Sequence, residues 1–287
     1  MNFSRFLPPV FLIFISTLNA QEIRIAVSDL IAGYIQAPLR AHADEFEFTL
    51  DIESIGSLPA IDKLRSDEVD LAIIAIPDDI RSQSSEFTIY PFAYDASLVV
   101  VNQSNPIQEI SINQLGGIFG SREELSVSTW GHLGFSGLGG RNINPLVGIS
   151  ENSITLELFK HRVLKGSSLN TNVTVDQAVN IEALIISNVS SIAIMPRTTK
   201  KNDIKALMIS NDSDSPAFGP TPNNIHHGDY PIRMPFCIAY NQRDEAKLIS
   251  LIRKLLEDEV ASHLESNRIF PLPQNVRRKL VMELELK

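Results

Sequence analysis

Hydrophobic and polar positions along the chain change period several times, and each change marks an element. Glu22 to Val27 alternates, with Ile23, Ile25 and Val27 on one face, which predicts a strand. From Asp29 to Phe46 the spacing of Ile31, Ile35, Leu39 and Ala43 is helical, and Pro38 is expected to kink or restart that helix. Phe48, Leu50 and Ile52 alternate again. Ser57 is expected to cap a helix carrying Pro59, Ile61 and Leu64, since its hydroxyl can accept from a free first-turn N–H and proline is tolerated there. Val69 to Ile76 is almost continuously apolar, as a strand buried on both faces requires. Strands and helices alternating so closely predict a parallel sheet with right-handed crossovers.

The pattern then repeats with variations. Leu98 to Val101 reads as another buried strand, Asn105-Pro106 as a break, and Ser111 as the start of a short helix through Leu115, Ile118 and Phe119. Gly131 to Gly140 is a glycine-rich loop. A helix from about Ser153 to Leu164 stops at Gly166, where a backbone without a Cβ can turn left-handed. Thr171 to Val175, a helix near Gln177 to Ser187 and a strand from Ser191 to Met195 form a second α/β set. Ser210 to Tyr230 is polar and rich in Pro, Gly, Asn and Asp, which predicts a long loop. Ile232 to Tyr240 returns as a strand, followed by helices at about Arg243 to Asp258 and Val260 to Ser266 and a helical tail from Asn275. The expected architecture is α/β with two lobes: residues 21–95 plus 232–287, and residues 96–231, with mixed sheets flanked by helices and a hinge between the lobes. Ligands in open α/β sheets sit at the carboxyl ends of strands, often between lobes.

The first twenty residues stand apart. Arg5 precedes an apolar run from Phe6 to Ile15 and a small-residue stretch ending at Ala20, the pattern of a secretory signal peptide cut near Ala20. The run is too short to span a bilayer comfortably. A periplasmic or secreted protein is therefore expected, with an uncleaved anchor as the alternative. Net charge is −9 over 287 residues, and basic clusters are confined to Lys200-Lys201 and Arg277-Arg278-Lys279, which argues against a nucleic-acid partner. The single cysteine, Cys237, excludes an internal disulfide framework and a multi-cysteine metal site. Its place between Phe236 and Ile238 reads as inert packing.

Four elements then occur in a telling order. Gly56-Ser57 precedes a helix and the stretch Val69-Asp70-Leu71-Ala72. Asp95 to Pro106 reads DASLVVVNQSNP. Ser128-Thr129-Trp130-Gly131-His132-Leu133-Gly134 leads to Ile143-Asn144-Pro145 and then to Ser153-Ile154-Thr155 with Phe159. Tyr230-Pro231-Ile232 runs into Met234-Pro235. Together they resemble the periplasmic phosphate-binding proteins of ABC transporters, the PstS-like group of two-lobed solute-binding proteins, over nearly all of the chain that follows the leader. The third element is similar to the family's Thr-Trp-Gly-x-Leu-Gly and Arg-x-x-x-Ser-Gly-Thr-x-x-x-Phe patterns. The resemblance implies a periplasmic-binding-protein-like fold and hinge closure on a small, phosphate-like oxyanion. It also implies an ABC permease or membrane sensor as partner, and a monomeric binding protein that is not an enzyme and carries no cofactor or metal.

In that family, loop amides, hydroxyls, one Arg and one Asp hold the anion. Helix starts offer free N–H groups, the Arg supplies a charged fork, and the Asp accepts a proton that phosphate carries and sulfate lacks. Carried over by position, Ser28, Ser57, Ser153 and Thr155 match family donors. Ile154 replaces the glycine between the last two, the Arg position falls on Ile149 and the Asp position on Ala75. Arg141, in the glycine-rich loop, is the candidate substitute cation; an exposed, solvated Arg is the alternative. Trp130 is expected to pack the second lobe, and Asp70 to serve a turn or hydrogen bond.

Two rival readings stay open. One is a ligand-free envelope interaction module on the same fold, favoured by the missing Arg, Asp and Gly. The other is a metal-assisted hydrolase built on His226-His227-Gly228-Asp229; adjacent histidines in an extended loop point apart, which disfavours convergent ligation.

Overall fold

The structure, a computed structural model, describes residues 22–81, 85–122, 124, 126–135, 137–150, 153–196 and 202–286. The expected leader lies outside the described residues. β1 (Glu22–Ser28) pairs in parallel with β2 (Thr49–Ile55) on one side and β3 (Leu71–Ala75) on the other. The crossovers are α1 (Asp29–Glu45) and α2 (Ser57–Arg65). α1 runs through Pro38 as one helix, so it does not restart there. Ile31 and Ile35 before the proline and Leu39 and Ala43 after it bury in one core, and that shared burial offsets the single lost hydrogen bond. Asp70 ties the start of β3 to β1. Its carboxylate accepts the Arg24 backbone N–H at 2.8 Å and pairs with the Arg24 guanidinium at 3.0 Å and the Lys247 ammonium at 2.9 Å.

After α3 (Asp78–Arg81), β4 (Thr88–Ala96) joins the same sheet, a strand the hydrophobic pattern did not mark. Pro91 interrupts its pattern and is tolerated because the pairing register shifts beside it, between Phe236 and Cys237 of the neighbouring strand. One residue, Ser97, separates β4 from β5 (Leu98–Asn102), which belongs to a second sheet. That region continues with β6 (Glu109–Ser111) and α4 (Ile112–Phe119). Ser111 caps α4, accepting from Gln114 N–H while the Gln114 side chain accepts from Ser111 N–H. β7 (Asn144–Ile149) follows the glycine-rich loop, and α5 (Thr155–Phe159) continues as a π-helical turn over Lys160–Leu164. Gly166, at φ 86°, ends it as expected. β8 (Thr174–Gln177), α6 (Ala178–Ser187), β9 (Ser191–Met195), β10 (Ile204–Ala206) and β11 (Met208–Ser210) complete the second region.

The stretch expected to be a long loop contains a short helix, α7 (Pro222–His227), started by Thr221 accepting from Asn224 N–H at 3.2 Å and by Pro222 in the first turn. His226 and His227 are therefore helical, not extended. The chain returns through β12 (Arg233–Tyr240), α8 (Glu245–Leu256), α9 (Asp258–Ser266), β13 (Phe270–Pro271) and α10 (Gln274–Glu285). Leu248, Leu251, Ile252, Leu255 and Leu256 give α8 a single apolar stripe that buries completely.

The first sheet has the order β13-β4-β12-β3-β1-β2 and the second β10-β5-β9-β7-β8, and both mix parallel and antiparallel pairs. Two mixed sheets flanked by helices make the two-lobed α/β architecture anticipated from the sequence. Trp130 is fully buried in the second region, its indole N–H donating to Ser190 O at 3.3 Å. The glycine after it is required by a close backbone approach: a Cβ on Gly131 would lie 2.8 Å from Gly139 O. At the crossing between sheets, Ser97 spends every polar group. Its N–H donates to Ile232 O at 3.0 Å, its hydroxyl to Thr155 O at 2.8 Å, and its carbonyl accepts from the buried Tyr230 hydroxyl at 2.9 Å.

Candidate binding site between the two sheets

Two candidate serines, Ser28 and Ser57, meet the Ala75 backbone at the carboxyl ends of β1, β2 and β3, where an open parallel sheet leaves free backbone groups and helix starts. Ser28 ends β1 and is fully buried. Ser57 is the first residue of α2; Gly56, not Ser57, occupies the cap position, so the expected capping role is corrected. The Ser57 hydroxyl does something else. It accepts from Ala75 N–H at 2.9 Å and donates to Ser28 Oγ at 3.4 Å. A serine 18 residues upstream thus satisfies the backbone donor at the end of β3.

Ile154 and residues of α5 and its continuation form the opposing wall; of the predicted donors only Ser57 lines the cavity, while Ser28, Ser153 and Thr155 lie outside the lining. Ser153 Oγ and Thr155 Oγ1 lie 2.7 Å apart, and Thr155 N–H donates to Ser153 Oγ at 3.3 Å. Ile154 stands between them. A cavity of about 320 Å³ separates the two walls. Leu30, Ser57, Ala75, Pro77 and Met234 line it from the side of the first sheet. Ile154, Glu157, Leu158 and His161 line it from α5 and its continuation. Met234, Leu30 and Leu158 were not foreseen: nothing local marks an apolar side chain as facing a cleft and not a core.

The charged candidates behave differently. Arg141 is exposed and absent from the lining; its backbone closes the glycine-rich loop by donating to Leu138 O at 2.8 Å and accepting from Trp130 N–H at 3.2 Å. Ile149 is 36% exposed at the end of β7, also outside the lining. Neither Lys nor Arg is among the described residues that line the cavity. Beside Pro77, Asp78 pairs with Arg233 at 2.6 Å and with Arg81 at 2.9 Å. Arg233 also lies 4.8 Å over the Tyr94 ring and donates to the Ile225 and His226 carbonyls. Both guanidiniums are thus engaged by the Asp78 carboxylate. Burial, with His227 and Arg233 close by, holds His226 below its usual range.

A larger cavity of about 500 Å³ lies between α1, α8 and α10, away from the strand ends. Several of its polar groups already satisfy one another. His42 bonds Ser250 at 2.7 Å, Arg253 pairs with Glu285 at 3.0 Å and Lys254 with Glu257 at 3.1 Å. The smaller cavity at the strand ends is the better candidate because it joins the two sheets. Burial pushes the Cys237 thiol up to about 12, and this unreactive thiol packs within the first sheet.

A family model described as a PBP superfamily domain matches residues 15–257. This chain belongs to the PBP superfamily. Among its curated relatives there, the phosphate-binding protein PstS of Pseudomonas aeruginosa is 24% identical over 213 residues, covering 69% of this chain and 64% of that protein. Protein SphX of Synechococcus elongatus is 26% identical over 193 residues, covering 63% and 56%. The chain thus spans less than two thirds of the length of these relatives. PstS from Borrelia burgdorferi superposes with a TM-score of 0.73 at 16% identity, covering 88% of this chain and 99% of that one. An ABC-type phosphate transport receptor from Vibrio cholerae gives 0.64 at 19%, covering 88% and 100%. At those identities the structures show the shared fold, and the PstS-like resemblance read from the sequence holds.

Proposed function

We propose that this protein is a PstS-like solute-binding protein that closes around a small oxyanion between its lobes and presents it to an ABC permease or a membrane sensor. It acts in the periplasm or outside the cell after loss of the leader near Ala20, as a monomer that binds without catalysis. The observation that carries the reading is the meeting of Ser28, Ser57 and the Ala75 N–H at 3.4 and 2.9 Å, with Ser57 and Ala75 facing Ile154 and α5 across a cavity. Residues 21–95 with 232–287 and residues 96–231 would move as two lobes about Ser97 and Ile232, where the chain crosses between sheets.

Inorganic phosphate binds weakly in this reading. Loss of one partner of a buried charge pair costs about 2–5 kcal/mol, roughly 30- to 5000-fold in affinity, and both the Arg and the Asp positions are apolar here. The test is calorimetry of the chain from Gln21 against phosphate, sulfate and organic oxyanions, with melting curves alongside. Heat and a raised Tm with any of them support the reading. Neither heat nor a shift with all of them transfers the case to the ligand-free envelope module, which Ala75 and Ile149 favour.

A further inference from the structure

We infer that the cleft is built for an organic oxyanion carrying a short alkyl group, not for bare phosphate; this rests on the solute-binding reading above. Six of the nine residues lining the cavity are apolar: Leu30, Ala75, Pro77, Ile154, Leu158 and Met234. An ionic ligand alone would leave that surface facing water or a void, and both forfeit the dispersion contacts and dehydration that an alkyl group supplies. The volume, about 320 Å³, matches the lower end of small-molecule sites at roughly 300 Å³, whereas an inorganic oxyanion fills only a small part of it.

Polar capacity is limited in the same way. Ser57 already accepts from Ala75 N–H and donates to Ser28, and Ser153 is engaged with Thr155. Ser153 lies outside the lining, and of the other polar lining residues Glu157 is a carboxylate paired with Lys160 at 2.9 Å, which leaves His161 as the one further side-chain donor, too little to replace the full hydration shell of a dianion. The two wall positions that depart from the family pattern, Ala75 and Ile154, both turn a polar or backbone-lined surface into an aliphatic one, and both border the cavity.

The experiment is calorimetry of the chain from Gln21 with inorganic phosphate, methylphosphonate, ethylphosphonate and propylphosphonate at fixed pH and salt. The PO3 head group is constant across the three phosphonates, so their trend reports on the apolar lining, and phosphate serves as the reference without an alkyl group. Affinity should rise roughly fourfold per added carbon, from about 0.8 kcal/mol per buried methylene. Phosphate binding as tightly as or tighter than every phosphonate overturns the inference and leaves the solute-binding reading standing. No binding and no change in Tm across the whole series overturns both. Ile154→Gly and Met234→Ser, each checked for an unchanged melting transition, should flatten the trend by at least half. A trend that persists undiminished in both variants places the alkyl group elsewhere and overturns the inference.

Discussion

Single side chains settle several roles on this scaffold. Asp70 is 8% exposed and serves two cations and a backbone N–H. Burial disfavours its charge, yet hydrogen bonds from Arg24 and Lys247 more than offset that and hold the carboxyl below its ordinary range. A carboxyl held low binds fewer protons folded than unfolded, so its stabilisation is present above the ordinary carboxylate range and disappears as pH falls through the depressed value. Asp70→Ala should cost about 2 kcal/mol near neutral pH, since Arg24 and Lys247 can rehydrate but the Arg24 N–H cannot readily do so. Urea denaturation across the acid range checks it: wild type and variant should converge as pH drops, and a constant gap contradicts the assignment. Arg141→Ala should leave both Tm and oxyanion affinity unchanged, because the guanidinium is exposed and outside the cavity lining. A loss of binding by calorimetry would restore Arg141 as the substitute cation.

Between elements, the short approaches and the crossing segments matter most. Gly131 follows Trp130 in a turn where Gly131 N–H donates to Gly139 O at 2.8 Å, and an added Cβ would meet that same oxygen at 2.8 Å. Backbone cannot swing aside as a side chain can, so Gly131→Ala should destabilise by about 1–3 kcal/mol, measured by thermal or chemical melting. Ser97 joins β4, β5, the Ile232 crossing and the first residue of α5 through three buried hydrogen bonds. Removing its hydroxyl should cost about 1–2 kcal/mol. It should also loosen Thr155 from the crossing, so oxyanion affinity in Ser97→Ala should fall further than in Asp70→Ala of similar stability. Equal losses would mean that Ser97 acts on stability alone.

For the whole molecule, the arrangement of charge decides what can be held. A largely apolar cavity whose polar lining is Ser57, Glu157 and His161 provides little to replace the hydration of a dianion. Phosphate and sulfate should therefore be discriminated poorly, within about tenfold, since no proton acceptor stands at position 75 and a tenfold ratio is only about 1.4 kcal/mol. Competition calorimetry with the two anions reads this directly. Strong phosphate preference would require a carboxylate that the described lining provides only at Glu157, and that side chain is paired with Lys160 at 2.9 Å.

Much of this was legible in the chain itself. The alternation in Glu22–Val27, the helical spacing from Ile31 to Ala43 and the apolar run from Val69 to Ile76 specify a parallel βαβαβ unit, because period and burial are local properties of the pattern. Ile149 and Ala75, at the positions where the resemblance implies an Arg and an Asp, were equally visible. Strands β4 and β7 were not, since Pro91 and Pro145 break their patterns and only pairing with neighbours makes the prolines tolerable. Tertiary structure alone decided that Ser57 serves Ala75 rather than capping α2, and that Arg233 and Arg81 are drawn to Asp78. It alone brought Leu30, Leu158 and Met234 to one cavity. A hydrophobic residue carries the same signal whether it faces a core or a cleft, and a hydroxyl the same signal whatever accepts from it or donates to it. Those outcomes depend on partners that are distant in sequence, and folding is what chooses them.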